Sequence, residues 1–268
     1  MTDASGNGLD HALALVRAAL GHAPTGILTD LDGTLAPIVS DPAAARPLPA
    51  AVTALRALSS SLAVVGVITG RAASDARRML GGEDLLLIGN HGVEWLEPRA
   101  SVAAPREDLA WATAAVRGVL AGLQLGSDVW VEDKTLSATL HFRNAPDPAA
   151  TRARLLAALG DPSDRGLVVR PGRMSLEIRP ATAGDKGTAL QEVIRRHALR
   201  GLLVMGDDVT DLDMFQVAAE ARAAGRLHAA ILAVGGAGEV SPLVEAAADA
   251  VLRDPAAAAE LLSSLAAP

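Results

Sequence analysis

Two clusters of carboxylates stand out by type and spacing. Asp30-Leu31-Asp32-Gly33-Thr34-Leu35 directly follows the apolar run Gly26-Ile27-Leu28-Thr29, and Gly206-Asp207-Asp208-Val209-Thr210-Asp211 follows Leu202-Leu203-Val204-Met205. Each is a buried-strand pattern that ends in acids. Several acids at one strand end are costly to desolvate and hold together unless something positive sits among them. A hard cation with oxygen ligands, usually Mg²⁺, meets that demand. Two such strand ends suggest one metal site assembled from both. A calcium loop does not fit the first cluster, because its sixth and twelfth positions are Leu35 and Asp41 instead of Gly and Glu.

Two further pieces have the right chemistry for a phosphate. Thr69-Gly70-Arg71 closes an apolar run and opens a helical one, where a hydroxyl and free backbone N–H groups can hold an anion. Lys186, in Gly184-Asp185-Lys186-Gly187, stands at a helix start and lacks the upstream glycine of a P-loop. Taken singly, each piece has a bland reading: an Asx turn, a strand-to-helix turn, a solvated lysine, an N-cap cluster.

The elements that must position these residues are legible from periodicity. Short β-rich runs at 26–30, 63–69, 85–89, 202–206 and 230–234 alternate with helical runs at 9–20, 49–60, 72–80, 186–198, 211–223, 241–248 and 256–266. That alternation predicts an α/β core, a central parallel sheet flanked by helices. Half of the 268 residues are hydrophobic and 2% are aromatic, so the core is Leu, Val, Ile and Ala. Without Cys there is neither disulfide nor thiol chemistry, and a reducing, cytoplasmic setting is the expectation. A formal charge of −7 argues against nucleic acid as a partner. The polar, acidic start shows no secretory signal, and no apolar run approaches the roughly 20 residues of a membrane span.

The middle of the chain differs. Val129-Trp130-Val131-Glu132, Ser137-Ala138-Thr139-Leu140-His141-Phe142 and Ser175-Leu176-Glu177-Ile178-Arg179 alternate apolar and polar residues, the pattern of antiparallel strands with one solvated face. Helical runs at 107–123 and 147–159 separate them. Residues 105–180 therefore read as an α+β insert in a core made of 1–104 and 181–268.

In their order along the chain, the four pieces resemble the motifs of the haloacid dehalogenase-like phosphatase superfamily, over the whole sequence. About thirty-five residues separate Thr34 from Thr69, too few for a cap, whereas the insert of roughly 75 residues falls between the Thr69 and Lys186 motifs. That resembles the sugar phosphatases with a C2-type α/β cap. Leu35-Ala36-Pro37-Ile38, Gly89-Asn90-His91-Gly92-Val93-Glu94, Val131-Glu132-Asp133-Lys134, His141-Phe142-Arg143 and Leu176-Glu177-Ile178-Arg179-Pro180 are similar to the trehalose-6-phosphate phosphatase family. Thr69 stands where Ser is common there, and Phe142 where Tyr is common.

The resemblance implies Mg²⁺-dependent hydrolysis of trehalose 6-phosphate through an aspartyl-phosphate. Asp30 would be the nucleophile and Asp32 the general acid and base. The metal would be held by Asp30, the Asp32 backbone carbonyl, Asp207 and Asp211, with the relative roles of Asp208 and Asp211 open. Lys186, Thr69 and Gly70 would hold the phosphate. Arg71, His91, Glu132, Lys134 and Glu177 would contact the substrate, while Trp130 and Trp111 read as packing residues. The expected partner is a small sugar phosphate, with no nucleic acid or membrane, and the expected state of the protein is a monomer. A related phosphatase acting on sucrose phosphate or a glycosyl phosphoglycerate, and a non-catalytic sugar-phosphate sensor, are the alternatives.

Overall fold

The structure, a computed structural model, describes residues 4–39, 41–105, 109–134, 136–172, 174–181, 184–236 and 241–267. They fall into two compact units, one of Met1–Ala103 with Asp185–Pro268 and one of Ala104–Gly184. The first unit runs α1 (Ala4–Leu20), β1 (Thr25–Thr29), α2 (Pro49–Ser59), β2 (Val64–Ile68), α3 (Ala73–Leu80), β3 (Leu86–Gly89) and β4 (Glu94–Leu96). The second holds β5 (Ala104–Pro105), α4 (Ala112–Ala121), β6 (Trp130–Asp133), β7 (Ala138–His141), α5 (Pro148–Leu159), β8 (Leu167–Gly172) and β9 (Ser175–Pro180). The chain then returns to the first unit with α6 (Lys186–Arg196), β10 (Gly201–Gly206), α7 (Leu212–Ala223), β11 (His228–Val234), α8 (Pro242–Ala247), β12 (Ala250–Leu252) and α9 (Pro255–Ala266).

In the first unit the strands lie in the order β12-β11-β10-β1-β2-β3-β4. All neighbours are parallel except β3 and β4. The strands are buried on both faces and their side chains alternate between two cores. Ile27, Val65, Val67, Leu203 and Met205 join the layer under α1, α2, α3 and α9. Leu28, Val64, Ile68, Leu202 and Val204 join the layer under α6 and α7. Chain order reverses direction about β1, which has β2 on one side and β10 on the other. Such a switch point opens a crevice at the carboxyl ends of the strands. Register sharpens the placement. Thr29 lies level with Val67 and with Met205, so Asp30, Ile68-Thr69 and Gly206-Asp207 emerge at nearly one height.

The second unit is a four-stranded antiparallel sheet, β6-β7-β9-β8. One face packs Leu140, Leu176 and Ile178 against Val116 of α4 and Leu155 of α5. Two expected helix positions, 107 and 108, lie outside the described residues. Strand β8 was not expected from sequence; it contains Pro171 and Gly172, both poor strand formers. The structure puts it at the sheet edge, where a missing N–H costs no ladder bond. The short strands β4 and β12 were also unforeseen; three residues give too little periodicity to read. Among the described residues no helix is long and apolar enough to cross a membrane.

Candidate active site

Asp30 follows β1 directly, its N–H donating to the Met205 carbonyl at 2.9 Å, and is 6% exposed. The chain turns at once. Gly33 has φ +84°, and its N–H donates to the Ala36 carbonyl at 2.7 Å. A side chain there would collide with the Asp207 carboxylate as well as adopt a left-handed backbone, so this position demands glycine. Thr34 donates its hydroxyl to Asp207 Oδ1 at 3.1 Å, linking the two acidic strand ends.

Lys186 opens α6, whose N-cap Asp185 accepts from the Thr188 N–H at 2.8 Å. The cap aims the lysine inward, where it is 2% exposed. Its Nζ lies 2.8 Å from Asp30 Oδ1 and 2.6 Å from Asp211 Oδ1. Asp211 is fully buried, and its other oxygen accepts from the Asp207 and Asp208 N–H groups at 2.9 and 3.1 Å. Asp208 faces out and caps the turn with Oδ1, 2.7 Å from the Val209 N–H.

The electrostatics show a deficit of positive charge. Burial pushes the Asp30 carboxyl from 3.8 up to about 7, with Asp211 adding to the rise and Lys186 opposing it. Burial, then the negative Asp30 and Asp211, push Asp207 up to about 8. Burial works against the charged form of Lys186, yet the two flanking carboxylates outweigh it and hold the ammonium above its ordinary value. One lysine thus serves three buried or half-buried acids. Oxygens of Asp30, Asp207 and Asp211 all lie within 4.8 Å of one another. Closely set oxygens whose protonation is favoured only for want of a cation fit a hard divalent metal well.

Thr69 directly follows β2 and is buried, its hydroxyl accepting from the Arg71 N–H at 3.2 Å. Arg71 folds back onto Asp32. Nε lies 2.5 Å from Oδ2 and Nη2 lies 2.7 Å from Oδ1, a bidentate fork. The family resemblance gave Arg71 a substrate contact; the structure puts its guanidinium on the candidate general acid. His91 sits in a turn where Asn90, His91 and Gly92 all have positive φ, 49°, 57° and 111°. The turn is pinned to the preceding motif by His91 N–H to the Thr69 carbonyl at 2.9 Å, and its ring lies over Gly70. A cavity of about 650 Å³ opens among these groups, lined by Asp30, Asp32, Thr69, Arg71, His91, Lys186 and Asp207.

The remaining site residues proposed from sequence lie in the second unit. Glu132 accepts or shares a hydrogen bond with His141 Nε2 at 2.9 Å, and Lys134 Nζ is 3.9 Å from the same carboxylate oxygen. Glu177 pairs in register with Thr139, which pairs with Glu132, so the two acids share one sheet face. Trp130 corrects an expectation. It is 63% exposed and does not pack into the core. The period-two spacing from Trp130 to Glu132 was the available signal. Trp111 lies with its ring against Gly166.

Comparison with known proteins identifies the family. A family model described as trehalose-phosphatase matches residues 28–242. The chain is 36% identical over 202 residues to a trehalose-phosphate phosphatase of Mycolicibacterium paratuberculosis, covering 70% of this chain and 50% of that protein. It is 37% identical over 218 residues to an uncharacterized glycosyl hydrolase of Mycobacterium tuberculosis, covering 75% of this chain and 16% of the other. The chain therefore spans half or less of the length of these relatives. The solved trehalose-6-phosphate phosphatase of Aspergillus fumigatus superposes with a TM-score of 0.64 at 26% identity, covering 96% of this chain and 97% of that one. The C-terminal domain of the C. albicans trehalose-6-phosphate phosphatase gives 0.67 at 24% identity over 95% of this chain and 96% of that chain, a likeness of fold.

Proposed function

The chain belongs to the trehalose-phosphatase family, and on that premise we propose that it is a Mg²⁺-dependent phosphomonoesterase releasing trehalose and phosphate from trehalose 6-phosphate. In this reading the unit containing β1 and β10 is the catalytic core and the Ala104–Gly184 unit is the cap that chooses the sugar. The observation that carries the reading is the placement of Asp30, buried beside the Lys186 ammonium and within ligand distance of Asp207.

The chemistry follows from the residues. An Asp30 carboxylate oxygen attacks phosphorus while the bond to the sugar oxygen breaks, leaving an aspartyl-phosphate. Asp32 gives its proton to the departing sugar oxygen, then takes one from the water that attacks phosphorus and frees Asp30. In the structure the Arg71 fork engages both Asp32 oxygens, so at least one of these bonds must open before Asp32 can carry the acid's proton; Arg71 positions Asp32 and gives way as the substrate enters. Lys186, the Thr69 hydroxyl and the Gly70 N–H neutralise and orient the phosphoryl oxygens. Asp30, Asp207 and the Asp32 carbonyl would hold Mg²⁺, which when bound supplies charge neutralisation that lets both carboxyls ionise and a phosphate dianion approach. Asp211 already has partners on both oxygens, and we assign it to anchoring Lys186 and the Asp207 turn.

Phosphate release from a panel of sugar phosphates, with Mg²⁺ and with excess chelator, tests the reading. Trehalose 6-phosphate should be the best substrate by kcat/KM and turnover should vanish with chelator. A preference for sucrose phosphate or a glycosyl phosphoglycerate would reassign the substrate, and full activity in chelator would remove the metal.

A further inference from the structure

The open face of the four-stranded sheet carries more than the three charged residues drawn from family likeness. Cross-strand partners share a face. Trp130 stands opposite His141, and His141 opposite Ser175; Glu132 stands opposite Thr139, and Thr139 opposite Glu177. The same parity sends Leu140, Leu176 and Ile178 to the packed side. Trp130 is thus on the face of Glu132 and Glu177.

Its surroundings are ordered. The indole and the His141 ring lie 4.8 Å apart between centroids and are inclined by 30°. His141 is in turn tethered through Nε2 to Glu132 at 2.9 Å. One indole face is therefore backed by a ring whose position is fixed, and 63% of the residue meets solvent. An indole so placed adds nothing to the hydrophobic core. It offers a large, rigid apolar surface beside charged hydrogen-bonding groups. A pyranose has the complementary shape: C–H groups on its flat faces and hydroxyls round its rim.

Given the sugar-phosphatase reading above, on which this rests, we propose that Trp130, backed by His141, is a stacking platform for a pyranose ring of the substrate, with Glu132 and Glu177 binding hydroxyls at the ring's edge. Trp130 is then a specificity-determining residue that acts in binding and takes no part in the chemical step.

The test compares wild type, Trp130→Ala and Trp130→Phe on trehalose 6-phosphate and on 4-nitrophenyl phosphate, which has no sugar. Loss of the stack should raise KM for trehalose 6-phosphate about three- to tenfold with kcat nearly unchanged. Trp130→Phe should restore most of the affinity, and KM for the aryl phosphate should not follow the same order. Equal losses on both substrates, or an unchanged KM in Trp130→Ala, would overturn the platform while leaving the phosphatase reading standing. If wild type cleaves the aryl phosphate but no sugar phosphate, the phosphatase reading loses its substrate class and the platform falls with it. If wild type prefers a different sugar phosphate, only the substrate is reassigned, and the same KM comparison on that sugar decides the platform.

Discussion

Two lysines beside acids show how differently the two units use charge. Lys186 is 2% exposed and lies between Asp30 and Asp211 at 2.8 and 2.6 Å. Lys134 lies 3.9 Å from Glu132, with 16% of its side chain exposed and its partner's carboxylate more open still at 39%. In the first setting water has been replaced by a few fixed groups, so each charge depends on the others. In the second, water reaches the pair, screens the charges and weakens their interaction. The buried cluster suits chemistry that every phosphate ester requires. The open face suits recognition, where small independent contributions can be adjusted without unfolding the protein.

The largest effect separating the two regions is expected at Asp30. Asp30→Asn keeps the shape but removes the attacking oxygen's charge. Turnover should fall by at least about 10⁴-fold on sugar and aryl phosphates alike, because the covalent step is common to both. Steady-state phosphate release measures it, with circular dichroism as the check on folding. Near-wild-type turnover in the folded variant would sink the nucleophile assignment.

A second expectation concerns pH and metal. The carboxyls of Asp30 and Asp207 rise from 3.8 to about 7 and about 8 in the folded protein. Between about pH 4 and pH 8 the folded chain therefore binds more protons at these sites than the unfolded chain does. Stability of the metal-free protein should fall as pH rises through that window. Mg²⁺ should reverse the loss, so its stabilising shift in Tm should be larger at pH 8 than at pH 5. Asp207→Asn should flatten the metal-free slope. A Tm shift by Mg²⁺ that is equal at both pH values would break the link between buried acids and metal.

What sequence showed and what it hid divide along the same line. The acids at 30, 207 and 211 follow buried apolar runs, and parallel order alone brings the carboxyl ends of such strands together. Turn chemistry at Gly33 is equally local. The Arg71–Asp32 fork is different: 39 positions separate its members, and only the register of β1 with β2 makes them neighbours. That Asp211 has both oxygens engaged depends on the turn after β10 closing back on itself. In the second unit, period-two alternation sorted residues into two faces. Which face the helices cover is decided by tertiary packing, so Trp130 read as a packing residue although its parity matched Glu132.

The smallest expected effects test whether the open face really acts through separate groups. Glu132→Gln and Glu177→Gln keep size and hydrogen-bonding capacity but remove a charge. A charge-assisted bond to a hydroxyl contributes roughly 1.5–3 kcal/mol, and the amide retains part of it. Each variant should then lower kcat/KM for trehalose 6-phosphate by about tenfold and leave aryl-phosphate turnover far less affected. The two residues are separated by the whole width of β7, with Thr139 between them. Their effects should multiply in the double variant, since groups set a full strand apart couple weakly. Asp30→Asn and Lys186→Met should do the opposite, the second change costing little once the first is made, because both act on one buried charge cluster. Strong coupling between Glu132 and Glu177 would mean that the cap face works as a single cooperative site, and the contrast between a coupled core and an additive cap would no longer hold.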